Sequence, residues 1–262
     1  MGKNNYILNT ILTICLGLVL ATLIQSCTTI SDQEFEVNGV KFNMIAVEGG
    51  SFMMGTTPGQ GNDARENEKP AHKVIVDDFF IGETEVTQEL WFAVMGSNPS
   101  HFKNKDCNYP VENVSWNDVQ EFIKKLNEIT GQQFRLPFES EWEYAARGGK
   151  KSTDKKYAGS DDIDEVAGYK DNAGGMTHAV ASKKANELGI YDMSGNVWEW
   201  CEDWYGGYEA TELVNSQRTI NSSHIVMRGD SWYNGESRVS FRRGYRPDTR
   251  GFDRGFRLVM IK

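Results

Sequence analysis

Hydrophobic residues along the chain recur at spacings that predict both strands and helices. Residues 42–47 and 72–80 are rich in Val, Ile and Phe with partial alternation, a pattern that predicts β-strands. Over residues 116–130, apolar side chains recur at helical spacing. Ser115 is placed to cap this helix and Gly131 to end it. We therefore expect a domain that mixes short strands with at least one well-defined helix.

The first apolar run of the chain has a different character. Lys3 precedes residues 6–24, which are predominantly apolar, and the run leads into Ser26 and Cys27. A small residue directly before a cysteine at the end of such a run is typical of a bacterial lipoprotein signal. In this interpretation residues 1–26 are the signal peptide and Cys27 is the acylated N-terminus.

The alternative is a membrane anchor that is never cleaved, because residues 6–24 approach the length that spans a bilayer. In the lipoprotein interpretation, residues 27–40 form a polar tether and residues 41–262 a single folded domain. Several acyl chains on one residue hold a protein on a membrane durably. We therefore predict a lipid-anchored protein of the bacterial cell envelope, either periplasmic or on the outer-membrane surface.

Composition narrows the class of partner. The chain carries 37 Asp and Glu residues against 28 Lys and Arg residues, a formal net charge of −9. Nucleic-acid binding requires a basic face that neutralises phosphates, so this excess of acid argues against a nucleic acid as partner. The 7 Trp, 10 Tyr and 13 Phe residues among 26 Gly residues indicate a loop-rich fold that is stabilised by aromatic side chains.

The segment GIYDMSGNVWEW, residues 189–200, points to a metal site. Asp192 and Glu199 lie on either side of a Ser-Gly-Asn turn. Calcium binds roughly six to eight oxygens from carboxylates and backbone carbonyls, which such a loop is able to supply. The competing interpretation is an ordinary turn next to two core tryptophans, Trp198 and Trp200.

Three further segments accompany this one. In chain order the sequence contains RLPFESEWEYAARGG (135–149), GIYDMSGNVWEW, VMRGDSW (226–232) and RGFRLV (254–259). Together they resemble the formylglycine-generating enzyme family, also called the sulfatase-modifying factor family, from about residue 42 almost to the C-terminus. The resemblance implies a single, loop-rich α+β domain with the formylglycine-generating-enzyme fold, which is related to the C-type-lectin architecture.

The resemblance also implies ligands for calcium, which we expect as a structural cofactor. Residue by residue, Asp192 and Glu199 match carboxylate ligands of the family. Gly195 and Val197 match ligands that bind through backbone carbonyls. A second calcium site of the family falls within residues 167–177, where the similarity is too low to assign ligands.

Residues 139–147 are predicted as a second helix within the region of resemblance. The family usually has Thr where this chain has Phe138, whose side chain has no oxygen to accept hydrogen bonds from the first-turn amides. We therefore expect the start of this helix to be poorly capped.

The family's oxidases convert a cysteine of their substrate to formylglycine with a redox-active pair of cysteines, which binds copper in aerobic members. An ungapped comparison places this pair at Asn234 and Val239, and a shifted comparison moves the second position to Glu236 or Ser237. No cysteine follows Cys201. Because Cu(I) prefers thiolate ligands, we expect no copper centre.

Two cysteines, Cys107 and Cys201, lie within the predicted domain. In an envelope protein they are candidates for a structural disulfide. Alternatively, Cys201 is a reactive thiol at the pocket, because it directly follows the Trp-Glu-Trp run. The four histidines have no spacing typical of a zinc or iron site.

The expected pocket retains polar and aromatic side chains. The candidates are Trp198, Ser231, Asn234, Glu236 and Arg238, with Trp232 and Arg242 nearby. Each also has a structural interpretation, because tryptophans are usually core residues and arginines usually pair with carboxylates. The density of arginines is also compatible with recognition of an anion or a peptide.

Three functions are compatible with this pocket. The first, which we expect, is a non-catalytic binding or scaffold lipoprotein whose partner is an envelope protein or peptide. The second is formylglycine generation, for which the catalytic cysteines are missing. The third is oxidation of another substrate, because a cysteine-less branch of the family matures siderophore chromophores, and Glu236 is then the candidate base.

Overall fold

The computed structural model describes residues 30–103, 108–214 and 222–262. The predicted signal peptide, Cys27 and Cys107 lie outside the described residues. The described strands are β1 (Gln33–Val37), β2 (Val40–Val47), β3 (Gly50–Met54), β4 (His72–Val76), β5 (Phe79–Gly82), β6 (Phe134–Arg135), β7 (Trp198–Trp204), β8 (Leu213–Val214), β9 (Ile225–Arg228), β10 (Arg242–Tyr245), β11 (Arg254–Gly255) and β12 (Val259–Ile261). The described helices are α1 (Gln88–Met95), α2 (Trp116–Thr130), α3 (Glu139–Ala146) and α4 (Ile163–Val166). In these ranges no helix has the length and hydropathy needed to span a membrane.

Helix α2 confirms the prediction made from its hydrophobic spacing. The residues of its buried face are Val119, Phe122, Ile123 and Leu126. Ser115 Oγ accepts a hydrogen bond from the backbone N–H of Asp118 at 3.2 Å, and the Asp118 carboxylate accepts one from the N–H of Ser115 at 2.8 Å. Gly131 follows the helix with φ 69°, a left-handed conformation that favours glycine. Both ends of the helix are therefore set by their own side chains and backbone.

The five-stranded sheet joins the two ends of the described chain. Its strand order is β1-β2-β5-β12-β6. The C-terminal strand β12 lies between β5 and β6, so that Val259 pairs with Ile81 on one side and with Arg135 on the other. The sheet is complete only when the last residues of the chain have joined it.

A second sheet brings the motif segments side by side. Its strand order is β10-β9-β7-β11, and β7 begins at Trp198, inside the GIYDMSGNVWEW segment. Glu199 of β7 pairs with Arg228 of β9, while Arg254 of β11 pairs with Trp198. A third sheet has the order β3-β4-β8. Together with the four helices, these sheets confirm the α+β class and the single domain that the resemblance implied.

The polar tether predicted over residues 27–40 is wrong in its second half, because strand β1 lies there. This strand pairs with β2 along its whole length. Val37 is buried in the core and Phe35 packs against it, whereas the glutamates beside them are exposed. The folded domain therefore begins before the predicted boundary at residue 41. The acidic residues made this segment resemble a polar linker, although they alternate with Phe35 and Val37, which face inward.

The strand predicted over residues 72–80 is two strands. Asp77 and Asp78 separate β4 from β5, and these strands belong to different sheets. The Asp78 carboxylate accepts a hydrogen bond from the backbone N–H of Gly49 at 2.9 Å. The aspartate pair thus marks the point at which the chain passes from one sheet to the next.

Helix α3 is capped by a residue from another element. The Phe138 side chain makes no capping hydrogen bond, because it has no oxygen to accept one. Instead, the carboxylate of Asp203 on β7 accepts a hydrogen bond from the N–H of Glu139 at 2.6 Å, and the Glu141 carboxylate accepts one from the N–H of Phe138 at 2.8 Å. Carboxylates near a helix N-terminus also interact favourably with the helix dipole. A tertiary contact therefore replaces the missing cap.

Candidate functional site

Most of the residues predicted to form a pocket are buried. Trp198 and Ser231 are both 0% exposed. The backbone N–H of Trp232 donates to the carbonyl of Asn196 at 2.9 Å, which joins two of the motif segments. Asn234 Nδ2 donates to Ser231 Oγ at 3.4 Å. The predicted site is therefore a turn whose interior is occupied by its own side chains.

Glu236, the candidate base, is engaged by arginines. One of its carboxylate oxygens forms an ion pair with Arg65, and the other lies 3.5 Å from Nη2 of Arg238. Arg238 is 2% exposed and also pairs with Glu68 at 2.6 Å. Glu236 and Arg238 are therefore both engaged in ion pairs within the domain.

Arg242 belongs to a buried arginine network, which we define as Arg147, Arg228, Arg242, Glu139 and Glu143. Arg242 Nε lies 2.6 Å from Glu139, and Arg228 lies 3.0 Å from Glu139 and 2.6 Å from Glu143. Arg147 completes the network at 2.8 Å from Glu143. The network links α3 to β9 and β10, so Arg242 contributes to the fold and not to a pocket surface.

The positions at which the resemblance would place redox cysteines hold Asn234, Glu236, Ser237 and Val239. Val239 is 0% exposed and packs in the hydrophobic core. Ser237 is also 0% exposed, and its N–H and Oγ–H donate to the Asp230 carboxylate at 3.0 and 3.3 Å. None of these side chains carries a thiol.

Cys201 has no exposed surface and forms no disulfide with another described residue. Burial, together with the Glu139 and Asp203 carboxylates, raises the pKa of its thiol well above the usual value. Since the thiolate is the reactive form, the structure does not support the interpretation of Cys201 as a reactive thiol. Whether it pairs with Cys107 stays a prediction, because Cys107 lies outside the described residues.

An aromatic patch lies beside the turn that contains Ser231 and Asn234, and the sequence analysis singled out only one of its members. We define the patch as His101, Phe102, Trp232, Tyr233 and Phe252. Ring centroids are 5.3 Å apart for Phe102 and Trp232, 5.4 Å for Trp232 and Tyr233, and 5.7 Å for Trp232 and Phe252. Tyr233 is 60% exposed and Phe252 is 44% exposed. Aromatic residues within predicted loops were the available signal, but the sequence does not show which of them meet.

Asp192, the first predicted calcium ligand, fits a cation. It is 2% exposed, and its Oδ2 accepts a hydrogen bond from the N–H of Ala181 at 2.7 Å. Its Oδ1 is buried without a hydrogen-bond partner among the described residues. Burial raises the pKa of Asp192 to about 6. A calcium ion at Oδ1 would satisfy this oxygen and favour the charged carboxylate.

Glu199, the second predicted carboxylate ligand, fits less well. Its two oxygens accept hydrogen bonds from Arg257, each at 2.6 Å, and one of them also accepts from Trp142 Nε1 at 2.7 Å. Nowhere in the described ranges do three His, Cys, Asp or Glu side chains converge as metal ligands. Calcium would therefore depend on the carbonyls of Gly195 and Val197 as well, and it stays a prediction.

Comparison with known proteins places these features in a family. The domain described as "Sulfatase-modifying factor enzyme 1-like domain" matches residues 32–262. The chain belongs to the sulfatase-modifying factor family. The "Chaperone protein LppX" of Paenibacillus barcinonensis is 34% identical, and the similarity covers 90% of this chain and 91% of LppX. The formylglycine-generating enzyme of Streptomyces coelicolor is 28% identical and is matched over 88% of its length by 82% of this chain.

Solved structures agree with the fold of this sulfatase-modifying factor family member. Treponema denticola variable protein 1 matches with a TM-score of 0.82 at 32% identity, covering 89% of this chain and 100% of that protein. PvdO from Pseudomonas aeruginosa matches with a TM-score of 0.75 at 26% identity, covering 88% of this chain and 98% of PvdO. The fold predicted from the four motif segments is thereby confirmed.

Removal of calcium is expected to lower the melting temperature. A metal that binds only the native state stabilises it by mass action. In thermal denaturation, EDTA should lower the melting temperature and added calcium should restore it. Asp192→Ala should abolish this difference, whereas Asp248→Ala, at a side chain that is 56% exposed, should retain it. Identical melting curves in EDTA and in calcium would contradict the assignment.

Glu112, which lies under the aromatic patch, is expected to make the stability depend on pH. It is 0% exposed, and its Oε1 accepts a hydrogen bond from the N–H of Phe102 at 2.7 Å. Burial raises its pKa from 4.5 to about 7. Between these pH values the folded protein retains a proton that the unfolded chain has lost. The free energy of unfolding should therefore fall as pH rises through this window.

Glu112→Gln is expected to remove this contribution, because glutamine does not titrate. Urea denaturation at several pH values between about 4.5 and about 8 measures the slope. Glu34→Gln is the matched control, since the Glu34 side chain is 56% exposed, and it should retain the wild-type slope. A Glu112→Gln variant with the wild-type slope would show that Glu112 does not carry the effect.

Proposed function

We propose that this domain binds a partner without catalysing a reaction, as a lipid-anchored protein of the bacterial cell envelope. One observation carries the proposal. At the positions of the family's redox cysteines, the side chains are not thiols and are largely committed to contacts within the fold, as with Glu236 between Arg65 and Arg238. Without a thiolate pair, the turn lacks the ligands that Cu(I) prefers.

The most informative sequence relative supports a binding role. LppX, whose name describes a chaperone, is 34% identical to this chain and is matched over 91% of its length. A chaperone recognises a protein by its surface and needs no reactive group. Because function depends on individual sites and not on the fold, a family of oxidases is compatible with such a member.

The alternative activity, a cysteine-independent oxidation, has weaker support. It requires a base that approaches the substrate, and Glu236 was the candidate. Both oxygens of Glu236 lie against guanidinium groups, those of Arg65 and Arg238. A base in this position would have to break an ion pair before each turnover.

The protein is expected to form no formylglycine. The test is incubation of the full chain with copper, a reductant, oxygen and a cysteine-containing sulfatase-motif peptide, after which the peptide is weighed by mass spectrometry. The Streptomyces coelicolor formylglycine-generating enzyme is the positive control, and it should produce the aldehyde under the same conditions. The peptide treated with the present protein should keep its original mass.

An aldehyde product would overturn the proposal, and Cys201→Ser would then identify the reason. Loss of product in this variant would make Cys201 the reactive thiol in spite of its burial. Product retained in the variant would mean that the chemistry does not need that cysteine.

Acylation of Cys27 is expected to anchor the protein. The cysteine follows a predominantly apolar run and a small residue, as in lipoprotein signals. The protein expressed in a bacterium should incorporate labelled palmitate and partition into the detergent phase. Cys27→Ser should accumulate as an unlabelled precursor, whereas Cys107→Ser should be labelled like the wild type. A mature N-terminus at any other residue would refute the assignment.

A further inference from the structure

We propose that one face of the domain lies against the membrane, and that this face is the groove at which the described part of the chain begins. We call it the entry groove, and its lining includes Ile30, Gln33, Gln132, Gln133, Ile261 and Lys262. The inference rests on the proposed acylation of Cys27 and specifies which side of the domain contacts the lipid headgroups.

The chain is fixed to the fold from Ile30 onward. Ile30 packs against the hydrophobic core, and the Asp32 carboxylate accepts a hydrogen bond from the N–H of Ala46 at 2.8 Å. Strand β1 follows at once and pairs with β2 along its whole length. The point at which the lipid-bearing segment joins the domain therefore lies at the entry groove.

The link between this point and the acylated cysteine is short. Three peptide units join Cys27 to Ile30, and they span at most about 11 Å when fully extended. A folded domain of this size has a radius of gyration of roughly 17 Å. Because the link is shorter than this radius, the groove has to remain near the headgroups, and the opposite side of the domain is out of their reach.

The charge of the entry groove fits a membrane surface. The chain has a formal net charge of −9, yet no Asp or Glu among the described residues lines the groove. Anionic lipids give a membrane a negative surface potential that acts over about one Debye length, so carboxylates would be repelled there. Acidic residues close in sequence are engaged elsewhere, since Asp32 accepts from Ala46 and Asp78 lies 3.8 Å from Lys262 Nζ.

The side chains of the groove fit the headgroup region. Gln33, Gln132 and Gln133 carry amide N–H groups that are able to donate to the phosphate and ester oxygens of lipids. Ile261 in the lining is 59% exposed, and Ile129, at the end of α2 that leads into the groove, is 50% exposed. Apolar side chains beside uncharged polar ones are suited to the boundary between headgroups and acyl chains.

Helix α2 separates the entry groove from a position that serves as a reference. Its C-terminal end leads into Gly131 and Gln132 of the lining, whereas near its N-terminal end the N–H of Asn117 donates to the carbonyl of Pro247 at 3.3 Å. A helix of 15 residues is about 22 Å long. Asp248, which follows Pro247, is therefore remote from the groove.

The test measures how close two labelled positions lie to the headgroups. A thiol-reactive fluorophore is attached at Gln132→Cys or at Asp248→Cys in the acylated full chain with Cys107→Ser, in which Cys201 is buried and protected from the reagent. The protein is added to vesicles of phosphatidylethanolamine and phosphatidylglycerol that contain a headgroup spin label. Quenching should be at least roughly threefold stronger at position 132, because a short-range quencher does not reach a site about 22 Å away.

A charge variant tests the contact itself. Ile261→Glu places a carboxylate in the groove and should roughly halve the quenching at position 132, because the anionic surface repels it. Val214→Glu is the matched control, since Val214 is 60% exposed on β8 in a different sheet, and it should leave the quenching unchanged. Both altered side chains are largely exposed, so both variants should keep the melting temperature of the parent protein.

Incorporation of palmitate separates failure of the orientation from failure of the anchor. Acylated, vesicle-bound protein with equal quenching at both positions, or with stronger quenching at position 248, would refute the entry groove as the membrane face, while acylation would stand. Unchanged quenching with Ile261→Glu, or an equal loss with Val214→Glu, would refute a direct contact of the groove with the headgroups. A protein that incorporates no palmitate would refute the anchor and the orientation with it.

Discussion

The buried arginine network is the constraint on which the rest of the structure depends. Arg228 and Arg242 have no exposed surface, and both contact the carboxylate of Glu139 on α3. Charges buried this deeply are stable only when they are paired, and removal of one partner typically costs about 3–5 kcal/mol. The backbone therefore has to hold α3 within hydrogen-bonding distance of β9 and β10 together. Because β7 pairs with β9 and its Asp203 caps α3, the same contacts position the Ser-Gly-Asn turn at residues 194–196, which lies just before β7.

The same kind of ion pairing occupies side chains that were candidates for ligand recognition. Arg238 reaches Glu68 from a distant part of the sequence, and Glu236 is shared between Arg65 and Arg238. Arginines that were candidates for ligand recognition are thus used to close the interior of the domain. On the outside of this region, the described loops carry the exposed side chains of Tyr233 and Phe252.

Local spacing predicted those elements in which the sequence pattern and the tertiary burial agree. Helix α2 was correct at both ends because its buried face, its cap at Ser115 and Gly131 are all adjacent in sequence. Strand β1 was missed because its glutamates resemble a solvated linker, and only its pairing with β2 shows that Phe35 and Val37 face inward.

The sequence motifs located the candidate site along the chain, but they did not show whether its side chains are free to contact a ligand. The segments that carry the resemblance become neighbours, since the N–H of Trp232 donates to the carbonyl of Asn196. Whether a side chain there is free depends on partners remote in sequence, such as Arg65 for Glu236. The aromatic patch was invisible for the same reason, because Phe102 and Phe252 meet only after the whole domain has folded.

Because Cys201 is buried, the rate at which its thiol is modified depends on how often the surrounding structure opens. Its thiol lies in β7, which is hydrogen-bonded within the second sheet, and it packs in the hydrophobic core. A soluble thiol reagent reaches such a group only during an opening of the surrounding structure. In a chain without Cys107, the rate of modification at Cys201 would therefore measure how often these openings occur. Its dependence on urea would separate brief local fluctuations, which expose little surface, from complete unfolding, which exposes much.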